Sequence, residues 1–247
     1  MFEEPDGFFQ EDPPPKTIRF ERRVDRSVVE PEVLEVQLVQ RHSLWAHELW
    51  NAGVAIANVF DGQDVPCRGK TILELGAGAA LPSLVAAITG ATRVVITDYP
   101  EAELVDNIAA NVARSLTGPS REACSVQGYL WGADATALLQ ALPDGCPGFD
   151  VVILSDLIFN HTMHSAMLST CEMCLAADGY ALVAFTHHRP HLKERDMGFF
   201  ELAAAPPFSF TVEHLPPVTM PPMFPDDPGP VDVRSTVHFY KLTKTQT

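Results

Sequence analysis

Apolar positions along this chain change period several times, and each change marks an element. Thr17-Ile18-Arg19-Phe20-Glu21-Arg22 alternates apolar and charged residues, and Val33 to Val39 does the same, so the two predict an N-terminal hairpin. From Trp45 the spacing becomes helical. Trp45, Leu49, Ala52, Ile56 and Val59 share one face, which predicts an amphipathic helix over 44–60. Thr71 to Leu75 reads as a strand running into Gly76-Ala77-Gly78, and Leu81, Leu84, Val85 and Ile88 mark a helix whose first turn tolerates Pro82.

The alternation continues. Arg93 to Asp98 is a compact strand ending in an acid, followed by a helix with Glu101 and Glu103 in its first turn and Val105, Ile108 and Val112 on one face. A short strand is expected around Ser125 to Leu130 and a strong buried strand from Asp150 to Ser155. A helix over 162–176 and a turn at Asp178-Gly179 lead to a strand from Tyr180 to Phe185. After a helix near 191–204, Phe208 to Glu213 and Thr236 to Tyr240 read as two strands joined by a Pro- and Asp-rich link over 215–234. Strand–helix alternation predicts a mainly parallel sheet covered on both faces, and the closing pair adds an antiparallel edge hairpin. Residues 1–40 are expected to form an acidic, Pro-rich arm and a flap, and 41–247 the main α/β domain.

Composition narrows the function. With 46% apolar and 20% charged residues the chain reads as an ordinary globular protein, and it has no apolar run of about 20 residues for a membrane span. Its start is acidic where a secretory signal would be basic, so the cytoplasm is the expected compartment. There, the five cysteines are expected to be reduced thiols. A formal charge of −15 argues against a phosphate-binding surface and hence against nucleic acid. It suits a basic protein partner, which this field would steer inward.

The glycine turn is the most informative segment. Gly76 and Gly78 let the backbone bend sharply after a strand and let a nucleoside lie against it. The glycines could merely close a strand–helix turn. They could also serve a dinucleotide, but that fingerprint wants a small third residue where this chain has Leu81 beside Pro82. S-adenosylmethionine carries no phosphate and asks only for adenosine and amino-acid pockets. Asp98, at the tip of the next strand, can accept both ribose hydroxyls or instead cap the helix that follows.

Four segments then stand in order: Leu49-Trp50-Asn51-Ala52-Gly53, Glu74-Leu75-Gly76-Ala77-Gly78, Thr97-Asp98-Tyr99-Pro100 and Leu154-Ser155-Asp156-Leu157-Ile158-Phe159-Asn160-His161. Together they resemble the seven-β-strand, class I protein methyltransferases of the lysine-methylating group. Within that group the likeness is to the fungal branch acting on the N-terminus and adjacent lysine of translation elongation factor 1-alpha. The resemblance implies a Rossmann-like α/β fold with a seven-stranded sheet and S-adenosylmethionine as cofactor. It places Trp50 by the methionine end, Gly76-Ala77-Gly78 under the nucleoside, Asp98 on the ribose, Trp131 near adenine and Ser155 in contact with the cofactor. The alternative for each tryptophan is that it fills core space.

Methyl transfer is an in-line displacement by an amine lone pair, so the enzyme chiefly aligns the partners and excludes water. An α-amine, with a pKa near 7.7–8.0, sheds its proton more readily than lysine, at about 10.4. Asp156-Leu157-Ile158-Phe159 resembles the family's Asp-x-x-Tyr/Phe element, with Phe replacing a phenol. Asp156 would accept a hydrogen bond from the amine, or serve only as a turn residue, and Phe159 would wall the acceptor channel, where cation–π attraction favours a methylated ammonium. Asn160 and His161 are further candidates for proton transfer, His161 with a structural role as the alternative. Cys171 and Cys174 are read as core thiols and not a zinc site, and the Thr186-His187-His188-Arg189-Pro190 cluster as a border of the substrate mouth without metal. The alternatives to a protein methyltransferase are a small-molecule N-methyltransferase of the nicotinamide type, a non-enzymatic interaction protein and a dehydrogenase.

Overall fold

The computed structural model describes residues 16–23, 31–40 and 46–245. The expected arm before Lys16 and Trp45 lie outside the described residues. The elements are β1 (Thr17–Glu21), β2 (Val33–Gln37), α1 (Asn51–Asp61), β3 (Thr71–Leu75), α2 (Leu81–Ile88), β4 (Arg93–Asp98) and α3 (Ala102–Ser115). There follow α4 (Gly118–Glu122), β5 (Cys124–Gly128), α5 (Thr136–Gln140), β6 (Phe149–Ser155), α6 (His164–Cys174) and β7 (Leu175–Thr186). Last come α7 (Lys193–Ala204), β8 (Phe210–Thr219), α8 (Val231–Arg234) and β9 (Thr236–Lys244).

Seven strands form one sheet in the order β5-β4-β3-β6-β7-β9-β8, parallel from β5 to β7 and antiparallel at β9 and β8. Successive side chains of each strand enter opposite layers. Ile72, Val94, Val151 and Leu182 face the layer of α1, α2 and α3, while Leu73, Val95, Val152 and Val183 face that of α5, α6 and α7. Burying each such side chain stabilises the fold by about 1.5–3 kcal/mol. Chain order reverses beside β3, and the crevice beyond the strand tips there is where ligands settle in open α/β sheets.

The hairpin of β1 and β2 is not loose. Buried Asn111 of α3 accepts from the Gln37 backbone N–H at 2.8 Å and donates to the carbonyls of Gln37 (2.8 Å) and Ala79 (3.2 Å). One side chain thus joins the hairpin to the glycine turn. On the other side Arg22 pairs with Asp61 of α1 at 2.8 Å, with both side chains buried.

Several boundaries depart from the sequence pattern. The helix expected over 44–60 begins only at Asn51, because Trp50 stays extended (φ −71°, ψ 144°). Asp178-Gly179 is not a turn before the strand: β7 already starts at Leu175 opposite Phe149, and its register shifts before Tyr180 meets Val151. Gly179 is needed there, since a Cβ would come within 2.5 Å of the Phe149 carbonyl. β8 runs on through Pro216 and Pro217, which the composition assigns to a link. Proline has no N–H to donate, yet β8 is an edge strand and its register shifts between Leu215 and Val218. Asp98 does not cap α3, whose N-cap is Glu101.

Candidate active site

The turn after β3 is built from three left-handed residues, Gly76 (φ +58°), Gly78 (φ +55°) and Ala80 (φ +63°). Its floor is bonded to β4: the Ala77 N–H donates to the Thr97 carbonyl at 2.9 Å, and Thr97 Oγ1 to the Glu74 carbonyl at 2.7 Å. Asp98 reaches back from the strand tip, its Oδ2 accepting the Gly78 N–H at 2.8 Å and its Oδ1 that of Tyr99 at 2.7 Å. The two glycines do different work. A Cβ on Gly76 would strike Leu157 at 2.7 Å and approach Trp131 at 3.2 Å, whereas one on Gly78 would enter open space.

That space belongs to a cavity of about 510 Å³ over the tips of β3, β4 and β6. All nine residues picked from the sequence line it: Trp50, Gly76, Ala77, Gly78, Asp98, Trp131, Ser155, Asp156 and Phe159. Among the described residues its acidic lining residues are Glu48, Glu74, Asp98 and Asp156, and its one basic lining residue is Arg189. A pyrophosphate would meet this lining with net repulsion, and a cationic nucleoside with attraction.

Glu74 is the group that sequence reading passed over. It is fully buried, its Oε2 takes bonds from the Ser83 N–H and hydroxyl, and its Oε1 has no hydrogen-bond partner among the described residues. Burial pushes its pKa up to about 8, against the pull of the Ser83 bonds and with a smaller push from Asp98. A buried acid with an unpartnered oxygen on a cavity wall matches a cationic ligand group. Its sequence signals are its place at the head of the Glu74-Leu75-Gly76-Ala77-Gly78 segment and an acid inside a mostly apolar strand.

The far end of the cavity is aromatic. Trp50 stands 6.4 Å from Phe159 and 5.9 Å from Phe224, ring centre to ring centre, and 4.7 Å edge-on from His188. Asp156 sits in the left-handed region (φ +54°), strained for a non-glycine residue, and its N–H donates to the Ala184 carbonyl at 2.8 Å. Its side chain is only 2% exposed, and both carboxylate oxygens lie 3.1 Å from His188 Nε2. The Asp156 carboxylate therefore meets an imidazole before it meets any amine.

The histidine cluster after β7 divides. His188 turns to Asp156, Arg189 lines the cavity, and His187 turns away to Asp196 of α7. Asn160 lines the cavity, while His161 also bonds to Asp196. Cys171 and Cys174 are buried and free, and burial pushes the Cys174 thiol up to about 12, so neither is a ready nucleophile. Phe224 carries no sequence signal because no spacing rule ties it to the glycine turn, and His188 appears there only within the cluster read as bordering the substrate mouth.

The lysine methyltransferase family matches residues 30–205. A protein N-terminal and lysine N-methyltransferase of Schizosaccharomyces pombe is 43% identical, the alignment covering 98% of this chain and 94% of that protein. The Eremothecium gossypii protein of the same description is 45% identical over 98% and 93%. Among solved structures, a putative SAM-dependent methyltransferase from Streptococcus mutans superposes with a TM-score of 0.56 at 14% identity, covering 95% of this chain and 57% of that one. An O-methyltransferase from Bacillus cereus in complex with SAH gives 0.52 at 16%, over 82% and 84%. At such identities these structures speak for the fold.

Proposed function

This chain belongs to the lysine methyltransferase family, and we infer that it transfers methyl groups from S-adenosylmethionine to a protein N-terminal α-amine and lysine, with cytoplasmic translation elongation factor 1-alpha as the acceptor. The observation that carries the cofactor reading is Glu74 Oε1, buried at the cavity wall without a partner among the described residues, beside a carboxylate-rich lining. The family and the relatives' N-terminal and lysine specificity support the acceptor class. The charge of −15 supports a basic protein segment over a nucleic acid.

When bound, S-adenosylmethionine supplies a methyl carbon made electrophilic by a positively charged sulfur. The residues of the chain do the rest. Asp98 would hold the ribose, Gly78 would leave room for the nucleoside, Trp131 would border the base, and Glu74 would serve the cationic amino-acid end. Ser155 and Trp50 border the reacting centre. Asp156 orients the incoming amine, its own carboxylate kept in place by His188 and Thr186. Phe159 and Trp50 wall the acceptor channel, exclude water and stabilise the methylated ammonium through their π-faces. Nitrogen attacks only as the free base, and an apolar wall beside a cation favours that form.

Incubation with labelled S-adenosylmethionine and an extract from cells lacking the enzyme tests this directly. Label is expected on a protein band at the mass of elongation factor 1-alpha. Label confined to free nicotinamide, with no protein band, would overturn the reading.

A further inference from the structure

Two loops build the acceptor side of the cavity. The loop after β6 brings Asp156, Phe159 and Asn160 to the cavity wall, and the loop after β7 brings Arg189, the residue that follows His188. They are tied together twice. Beside the cavity, His188 Nε2 meets both Asp156 oxygens. Behind it, Asp196 of α7 takes His161 Nε2 on one oxygen and His187 Nδ1 on the other, each at 2.7 Å. Asp196 is buried and is not among the residues that line the cavity. Yet His161 directly follows Asn160, and His187 stands two residues before Arg189, so each imidazole lies within two residues of the cavity wall.

We propose that Asp196 is a positioning residue for methyl transfer, setting both acceptor-side loops through one carboxylate shared between two imidazoles. The proposal rests on reading the cavity as a methyl-transfer site. An ionised carboxylate only accepts, so both ring nitrogens facing it donate, which fixes the tautomer and orientation of His161 and of His187. His164 adds a further hold on the first loop through its Nε2 and the Ile158 carbonyl at 2.6 Å. Among the described residues, no such tie joins Asp196 to the glycine turn or to Asp98. The cofactor end should therefore not sense its loss, while the acceptor end should. Misplacing reacting groups by about 1 Å costs on the order of a hundredfold in rate.

Asp196→Asn tests the assignment, because an amide offers one acceptor and one donor group where two imidazole N–H groups require acceptors. Hydrogen exchange is expected to rise in 157–163 and in 186–191 and to stay unchanged in 76–82. Affinity for S-adenosylhomocysteine should remain within about twofold, and kcat for the protein acceptor should fall about ten- to a hundredfold. His161→Gln and His187→Gln, which cut one tie each, should loosen only the first and only the second loop respectively. They decide the matter if Asp196→Asn does not fold. Exchange that rises across the whole sheet, affinity that falls in parallel with kcat, or loops that do not respond would overturn the proposal. Absence of protein methylation by the unmodified enzyme would sink the functional reading instead, leaving the exchange measurement to judge Asp196.

Discussion

The Asp98 carboxylate accepts the Gly78 backbone N–H at 2.8 Å, across 20 residues of chain. One bond thus fixes the spacing between two adjacent strand tips and aims an acid at the space the glycine leaves open. Replacing Asp98 by Asn keeps an acceptor but removes the charge. Affinity for S-adenosylhomocysteine is expected to fall about tenfold, or ~1.4 kcal/mol. Asp98→Ala also strands the Gly78 N–H, with a further cost of about 1–3 kcal/mol, and should bind more weakly still. Titration calorimetry reads both, and an unchanged affinity in Asp98→Ala would remove Asp98 from the site.

Gly76 and Gly78 share a left-handed backbone but not their surroundings, so the same substitution should act differently at each. Gly78→Ala carries the left-handed penalty of roughly 1–2 kcal/mol and places a methyl group in cofactor space. Binding should suffer more than thermal stability. In Gly76→Ala the new Cβ also collides with Leu157 and Trp131, and stability should fall further than in Gly78→Ala. Thermal melts with and without S-adenosylhomocysteine separate the two effects.

Glu74 links pH to stability and to binding. Its folded pKa, about 8, stands above the ordinary 4.5, so the folded state binds the extra proton and stability is lost as pH rises from about 4.5 to 8. Glu74→Gln should flatten that part of the stability profile. A cationic ligand favours the ionised acid, so cofactor affinity of the parent enzyme should strengthen as pH rises toward 8, and Glu74→Gln should lose that dependence. Calorimetry at pH 6, 7 and 8 gives the slope in this window. Equal slopes in the two proteins would contradict the role given to Glu74.

His238 works in the opposite direction. Burial, followed by its neighbours His187 and His214, holds its pKa down at about 4, below the ordinary 6.5. The folded state resists protonation, so stability is present above pH 6.5 and lost as pH falls toward about 4. His238→Phe can keep the stacking on Phe185, whose ring lies 5.3 Å away, and removes the titrating group. The fall in melting temperature between pH 6.5 and 4 should be smaller in this variant than in the parent.

The central strands were legible because full burial on both faces forces continuous apolar runs. Thr71–Leu75 and Arg93–Asp98 have the bounds that their composition suggests, and the glycine turn between strand and helix follows directly. What escaped reading depended on tertiary contact. Helical spacing before Asn51 carries no sign that Trp50 is drawn out to face His188 and Phe159. Pro216 and Pro217 look like breakers until β8 is known to be an edge. Asp156 lines the cavity, but its imidazole partner lies 32 residues away with no periodicity to reveal it.

Fragment-ion mass spectrometry on elongation factor 1-alpha tests the central claim most directly, using protein purified from cells lacking this enzyme and incubated with it and S-adenosylmethionine. Methyl-mass increments confined to the N-terminal residue and the neighbouring lysine are the expected result. An unmodified N-terminal fragment, from an enzyme shown in the same tube to bind S-adenosylhomocysteine, would contradict it.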